Sequence, residues 1–158
     1  MSKEDREFIR EAVDMAAENV KSGRGGPFGA LIVKDGKVIG RGVNRVTDIN
    51  DPTAHAEVMA IRDACRHLDH FRLEGAVIYT SCEPCPMCLA AIYWARIDKI
   101  FFAAQNADAA KAGFDDSFIY KEIPLPLEKR AIPIKQVDCK DPLKPFTTWM
   151  NSEHKITY

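Results

Sequence analysis

Cys85 and Cys88 stand three residues apart in Pro84-Cys85-Pro86-Met87-Cys88, and His55 stands two residues before Glu57 in His55-Ala56-Glu57. Two cysteines at this spacing on the first turn of a helix lie on one face and can reach a single metal ion. The free N–H groups of such a turn stabilise thiolates, and Pro84 pre-sets φ for a helix start. His55, from a second helix start, supplies a third ligand. A Zn²⁺ ion held by one His and two Cys keeps its fourth tetrahedral position open, which marks a catalytic rather than a structural site. Two thiolates and a neutral imidazole leave that ion formally neutral, so a base beside it is needed. Glu57 is the expected proton carrier, and the expected chemistry is hydrolytic, with no side chain acting as covalent nucleophile.

The elements that must position these residues follow from periodicity. Ser2 and Asp5 form a capping-box pattern. Phe8, Ile9, Ala12, Val13, Ala16, Ala17 and Val20 then recur at helical spacing up to Gly23. Asp35-Gly36 separates two apolar runs and predicts a hairpin. Asp51 as N-cap and Pro52 at the first helical position predict a helix carrying Val58, Ile61, Ala64, Cys65 and Leu68 inward. Buried strands are expected over 76–80 and 99–103 with a helix over 84–95 between them, an arrangement that requires parallel pairing. Beyond Gln105 the periodicity weakens: 106–123 reads as loop with one helical turn, 132–137 as an edge strand and 142–153 as a last helix. The expected fold is α/β, a three-layer α/β/α sandwich around a mixed sheet of about five strands, in a single domain over 1–158.

Composition narrows the function classes. The 158 residues are 46% hydrophobic and 28% charged with net charge −1, so no overall basic footprint for a phosphate backbone exists. The apolar run over 86–95 is too short to span a membrane, and the charged start MSKEDREFIR carries no signal peptide. Of five cysteines, three fall between Cys82 and Cys88, which is metal or redox usage in a reducing cytoplasm rather than a disulfide framework. An iron–sulfur reading of Cys82, Cys85 and Cys88 lacks its fourth cysteine, since Ile92 stands at that spacing. Closure of a structural zinc site by Cys82, Cys65, Cys139, His67 or His70 would leave Glu57 without a purpose.

The pairing of H-x-E with P-C-x-x-C is the signature of zinc nucleobase deaminases. The segments GGPFGALIVKDG, NDPTAHAEVMAIRDAC, YTSCEPCPMCLAAIYWARI and AGFDDSFIYKEI, together with the terminal tyrosine, resemble the small bacterial guanine deaminases of the cytidine deaminase-like fold. The resemblance implies one Zn²⁺ per subunit on His55, Cys85 and Cys88, with Glu57 shuttling protons. It also implies purine contacts from Phe28, Asn44, Ala56, Trp94, Asp116 and Tyr158. Family members form homodimers with exchanged C-terminal segments, so residues about 140–158 are expected to be a lid whose Tyr158 reaches the other subunit. From the residues alone, guanine offers two adjacent donors, N1–H and the exocyclic amine, that a carboxylate such as Asp116 accepts well. Deamination of guanosine, cytosine or tRNA adenosine, and a non-catalytic zinc module, remain alternatives at this stage. The tRNA reading would call for a basic surface.

Overall fold

The structure is a computed structural model that describes residues 2–158. Its backbone separates into two compact units, one ending at Asp116 and the other running Ser117–Tyr158.

In the first unit, helix α1 (Lys3–Lys21) begins with the reciprocal Ser2–Asp5 capping box. Strands β1 (Gly29–Lys34) and β2 (Lys37–Val43) form the expected hairpin. Both turn residues, Asp35 and Gly36, have positive φ (50° and 72°), as a two-residue turn matched to strand twist demands. A short helix α2 (Val46–Ile49) precedes α3 (Ala56–Leu68), and β3 (Ala76–Cys82), α4 (Pro86–Trp94), β4 (Lys99–Ala104) and α5 (Asn106–Lys111) follow. The sheet order is β2-β1-β3-β4, antiparallel except for the β3–β4 pair, which is parallel as the strand–helix–strand pattern requires.

Alternation along the strands builds two cores and hence three layers. Leu31, Val33 and Tyr79 pack under α1 with Ala12, Phe8 and Phe101. Ala30, Ile32 and Ile78 face the other way, against Ala56, Ala60 and Ala64 of α3 and Ile92 of α4. The approach of α3 to β2 is close enough that only hydrogen fits between them. A Cβ on Gly40 would lie 2.6 Å from the Ala60 carbonyl oxygen, and one on Gly42 would collide with the backbone of Ala56 and Ala60. This glycine pair meeting an alanine stripe fixes the start of α3, and with it His55.

Four points depart from the sequence expectations. The sheet has four strands among the described residues, not about five. The 132–137 segment is irregular and exposed, because Pro133 offers no N–H to a ladder. Residues 106–123 hold two short helices, α5 and α6 (Ser117–Glu122), rather than loop with one turn. Helix α7 (Lys144–Met150) is shorter than the 142–153 expected, and it starts with Pro145 in its first turn.

Candidate active site

Both metal-ligand segments are helix starts, but neither starts where the prolines suggest. Asp51 does not cap α3; its Oδ1 accepts from the N–H and hydroxyl of Thr53 at 2.8 and 2.7 Å, closing a local turn. The Ala54 carbonyl is committed to the Arg45 N–H (2.9 Å), so the helix waits until Ala56 and His55 becomes its N-cap, with φ −71° and ψ 157°. Likewise Pro86, not Pro84, occupies the first turn of α4. A residue before proline is kept out of the helical region, which makes Cys85 an extended N-cap (φ −65°, ψ 167°). The Glu83 N–H meanwhile continues toward β4, donating to the Ala104 carbonyl at 2.8 Å.

These starts remove the apparent conflict in the two-residue spacing of His55 and Glu57. His55 lies outside the helix and Glu57 in its first turn, so both side chains can face the same end-on point. His55 Nδ1 stands 3.5 Å from Sγ of Cys85 and 3.5 Å from Sγ of Cys88. A tetrahedral Zn²⁺ with ordinary bond lengths separates its nitrogen and sulfur ligands by about 3.6 Å. The donor set is therefore already spaced for that ion, and all three ligand atoms lie within 4.8 Å of one another.

Charge agrees with geometry. The Cys88 thiol beside it, with His55, holds the Cys85 thiol down to about 4, against the opposing cost of burial. Cys88 is pushed up by the same contact and by burial, since a second thiolate would sit beside the first. A divalent cation between them resolves that repulsion.

Glu57 is only 6% exposed, and burial pushes its carboxyl up. Thr80, a buried hydroxyl on β3, donates to Glu57 Oε1 at 3.4 Å. Cys82 packs at the end of β3, with Sγ 3.7 Å from the Gln105 carbonyl, and is not drawn into the His55–Cys85–Cys88 cluster.

The remaining predicted residues separate into groups. Ala56 is buried against Gly42, so only its backbone can meet a ligand. Asn44 is buried, with its Oδ1 accepting from the N–H groups of Gly26 (3.2 Å) and Val46 (3.3 Å). Phe28 is half-buried and meets Phe114 edge to face, ring centres 5.0 Å apart. Asp116 is half-buried, and its carboxyl is raised by burial and then by the negative field of Cys85, Asp115 and Glu83. Trp94, in contrast, ends α4 and is 63% exposed, about 13 Å along the helix from the ligand end. Tyr158 is exposed at the end of the second unit.

Sequence reasoning missed Phe114, Thr80 and Asn19. Thr80 and Ser81 were visible as adjacent hydroxyls in an otherwise apolar buried strand. Asn19 falls at the position after Ala12 and Ala16 on the inner stripe of α1, where an apolar residue is expected. Phe114 carries no signal of its own.

A His–Cys–Cys cluster at two converging helix starts, with a buried carboxylate beside it, defines a zinc hydrolase centre. Over residues 2–104 the chain matches the cytidine and deoxycytidylate deaminase zinc-binding region, and it belongs to that family. Zinc is its metal. Within the family, the guanine deaminase of Bacillus subtilis (strain 168) is 58% identical over 151 residues, which cover 96% of this chain and 97% of that one. The X-ray structure of guanine deaminase from Bacillus subtilis superposes with a TM-score of 0.96 at 56% identity, covering 100% of this chain and 99% of that chain. The tRNA-specific adenosine deaminase of Agrobacterium fabrum is 51% identical over 80 residues, but these cover only 51% of this chain and 53% of that one.

Proposed function

We propose that this chain is a zinc-dependent guanine deaminase, converting guanine and water to xanthine and ammonia. One observation carries the choice of base. Similarity to the guanine deaminase runs over 96% of the chain, past the zinc-binding region that ends at residue 104. Similarity to the tRNA deaminase covers only 51%. The net charge of −1 also gives no overall basic footprint for a tRNA.

When bound, Zn²⁺ supplies the Lewis acidity that makes water a nucleophile at neutral pH. His55, Cys85 and Cys88 hold it. Glu57 takes one proton of the attacking water and delivers it to N3 of guanine beside the carbon that bears the amine. It then takes the remaining proton of the added hydroxyl and hands it to the amine, which leaves as ammonia while the carbonyl of xanthine forms. Burial, which raises its carboxyl, suits a group that must hold a proton and release it. Asp116 accepts from N1–H and the exocyclic amine, while Asn44, whose oxygen is spent on Gly26 and Val46, donates to acceptor atoms of the purine. Phe28, with Phe114 at its edge, flanks the flat ring, and the start of α3 at Ala56 approaches it by backbone alone.

The working form is a homodimer in the cytoplasm, with residues 140–158 as a lid exchanged between subunits and Tyr158 meeting the partner's base. Trp94, too far along α4 for its own site, serves across the same interface. Support comes from the exposed apolar side chains of the second unit, among them Phe118, Val137, Phe146, Met150 and Ile156, more than a solvated tail needs. The cytoplasmic assignment rests on three thiols crowded into 82–88, which an oxidising compartment would cross-link. Described helices include none long and apolar enough to cross a membrane.

The deciding experiment is ammonia release by zinc-loaded protein from guanine, guanosine, cytosine and adenine. Guanine should be turned over at least about a hundredfold faster, in kcat/KM, than the others. Preference for any other member of the panel sinks the guanine reading, and no turnover of any sinks the enzyme reading.

A further inference from the structure

We propose that Asn19 is a positioning residue for the base-binding side of the site. Its carboxamide sets where Asn44 stands and which Asn44 atom faces the ligand. This inference rests on Asn44 being a base contact, as read above.

Asn19 is buried, 5% exposed, on the inner face of α1, where its neighbours one and two turns earlier are Ala16 and Ala12. Its Nδ2 spends both hydrogens on carbonyls of two segments, donating to Gly26 O at 2.9 Å and to Asn44 O at 2.8 Å. Those segments are also tied to each other. The Gly26 N–H donates back to Asn44 Oδ1 at 3.2 Å, and the Asn44 N–H donates to Phe28 O at 3.1 Å. A three-cornered network results, running Asn19, Gly26, Asn44. It is packed without slack: a Cβ on Gly25 would collide with the Asn44 carbonyl and lie 3.1 Å from Asn19 Nδ2.

The network has a chemical consequence at the ligand. Asn44 Oδ1 faces two backbone N–H groups, Gly26 and Val46, so the atom there must be the oxygen and the amino end is the one left for a base. An asparagine free to turn over could present either a donor or an acceptor. One held in this way presents only donors, and so discriminates between ring edges. Asn19 holds it by fixing the carbonyl of the same residue and the carbonyl of the glycine that binds its side chain. Replacing Asn19 by an apolar residue takes the side-chain donor from the Asn44 carbonyl, leaves the Gly26 carbonyl only the Phe28 N–H at 2.9 Å, and cuts the tie between the two corners.

A purely structural Asn19 would satisfy the same two carbonyls, so the test must separate the roles. Zinc-loaded Asn19→Ala, Asn44→Ala and the double variant are assayed on guanine. Asn19→Ala is expected to lose about tenfold or more in kcat/KM, mostly through KM, with zinc content unchanged. In the Asn44→Ala background the same change should cost less than about twofold, because the group it acts through is gone. Equal losses in both backgrounds, or no loss in either, overturn the proposal. Amide exchange supplies a readout independent of turnover. In Asn19→Ala the Gly26 and Val46 amides should exchange about tenfold faster or more, while Ile32 and Ile78 keep their protection. Unchanged protection at Gly26 and Val46 also overturns it. Asn19→Ser keeps one O–H donor and should recover part of the KM loss; it replaces the alanine variant if that fails to fold. Absence of guanine turnover in the unsubstituted enzyme would defeat the functional reading, and the exchange measurement would still decide the role of Asn19.

Discussion

The two compact units invest their apolar residues in opposite ways. In the unit ending at Asp116, Leu31, Ile32, Ile78 and Ile92 are fully or almost fully enclosed, and the ligand-bearing helix starts rest directly on that core. In Ser117–Tyr158 no described residue is fully buried, and Ile132 and Val137 are 78% and 81% exposed. The first unit can hold its donor atoms in place because the inner faces of α3 and α4 are packed on the sheet. The second has short helices and encloses none of its described side chains fully. The metal-ligand set thus sits on the densely packed unit, and in the proposed dimer coverage of the substrate falls to the loosely packed one.

The sharpest way to break this contrast is to remove chemistry without touching packing. Glu57→Gln should lower kcat about a thousandfold or more while zinc content and thermal unfolding stay as in the parent; near-parental turnover would refute the proton-carrier role. Next in size is truncation after residue 139. It should cut kcat/KM for guanine about a hundredfold and halve the mass seen by light scattering, with unfolding of the sheet unit little changed. Were the truncated protein a full-rate dimer, the division of labour would be wrong.

Gly42→Ala probes the rigid half instead. The new methyl meets the Ala56 and Ala60 backbone, so urea unfolding should show a loss of about 2 kcal/mol or more together with weakened zinc retention. Thr80→Val keeps the shape and removes the donor to Glu57. A fall in kcat of about tenfold with unaltered zinc content is expected, and a shifted acid limb in the pH profile would place the effect at Glu57.

The smallest effect is a pH dependence far from the site. The Tyr79 hydroxyl donates to Asp5 Oδ1 at 2.7 Å, and this bond, with those from Ser2, holds the Asp5 carboxyl below its ordinary value. The stabilisation is complete above the ordinary carboxylate range and fades as pH falls through the lowered value, below about pH 4. Asp5→Asn should flatten that part of the stability curve, measured as Tm against pH.

Much of this is legible in the sequence itself. The Asp35-Gly36 hairpin, the Ser2 cap and the parallel β3–β4 pair follow from local patterns strong enough to survive tertiary context. The spacing of His55, Glu57, Cys85 and Cys88 announced a three-ligand metal centre, and those residues do converge. Helix starts were misplaced because two Asp/Pro and Pro/Cys patterns each allowed two answers. The choice was made by the non-local bond from Arg45 to Ala54 and by Pro86 excluding Cys85 from the helix. The expected strand over 132–137 rested on Ile132, Ile134 and Val137, but Gln136 breaks the alternation and Pro133 has no N–H to give a ladder. Gly40 and Gly42 read as weak strand residues, and only contact with α3 reveals why nothing larger fits there.

One last consequence attaches to where the ligands stand. His55 and Cys85 both occupy N-cap positions, and neither uses its side chain to cap its own first turn. An ion held by both would fasten together two chain segments thirty residues apart, at the openings of both helices. Stripping it with a chelator should therefore fray the openings of α3 and α4 in concert while the sheet behind them persists, so metal loss would register as local loosening long before collapse.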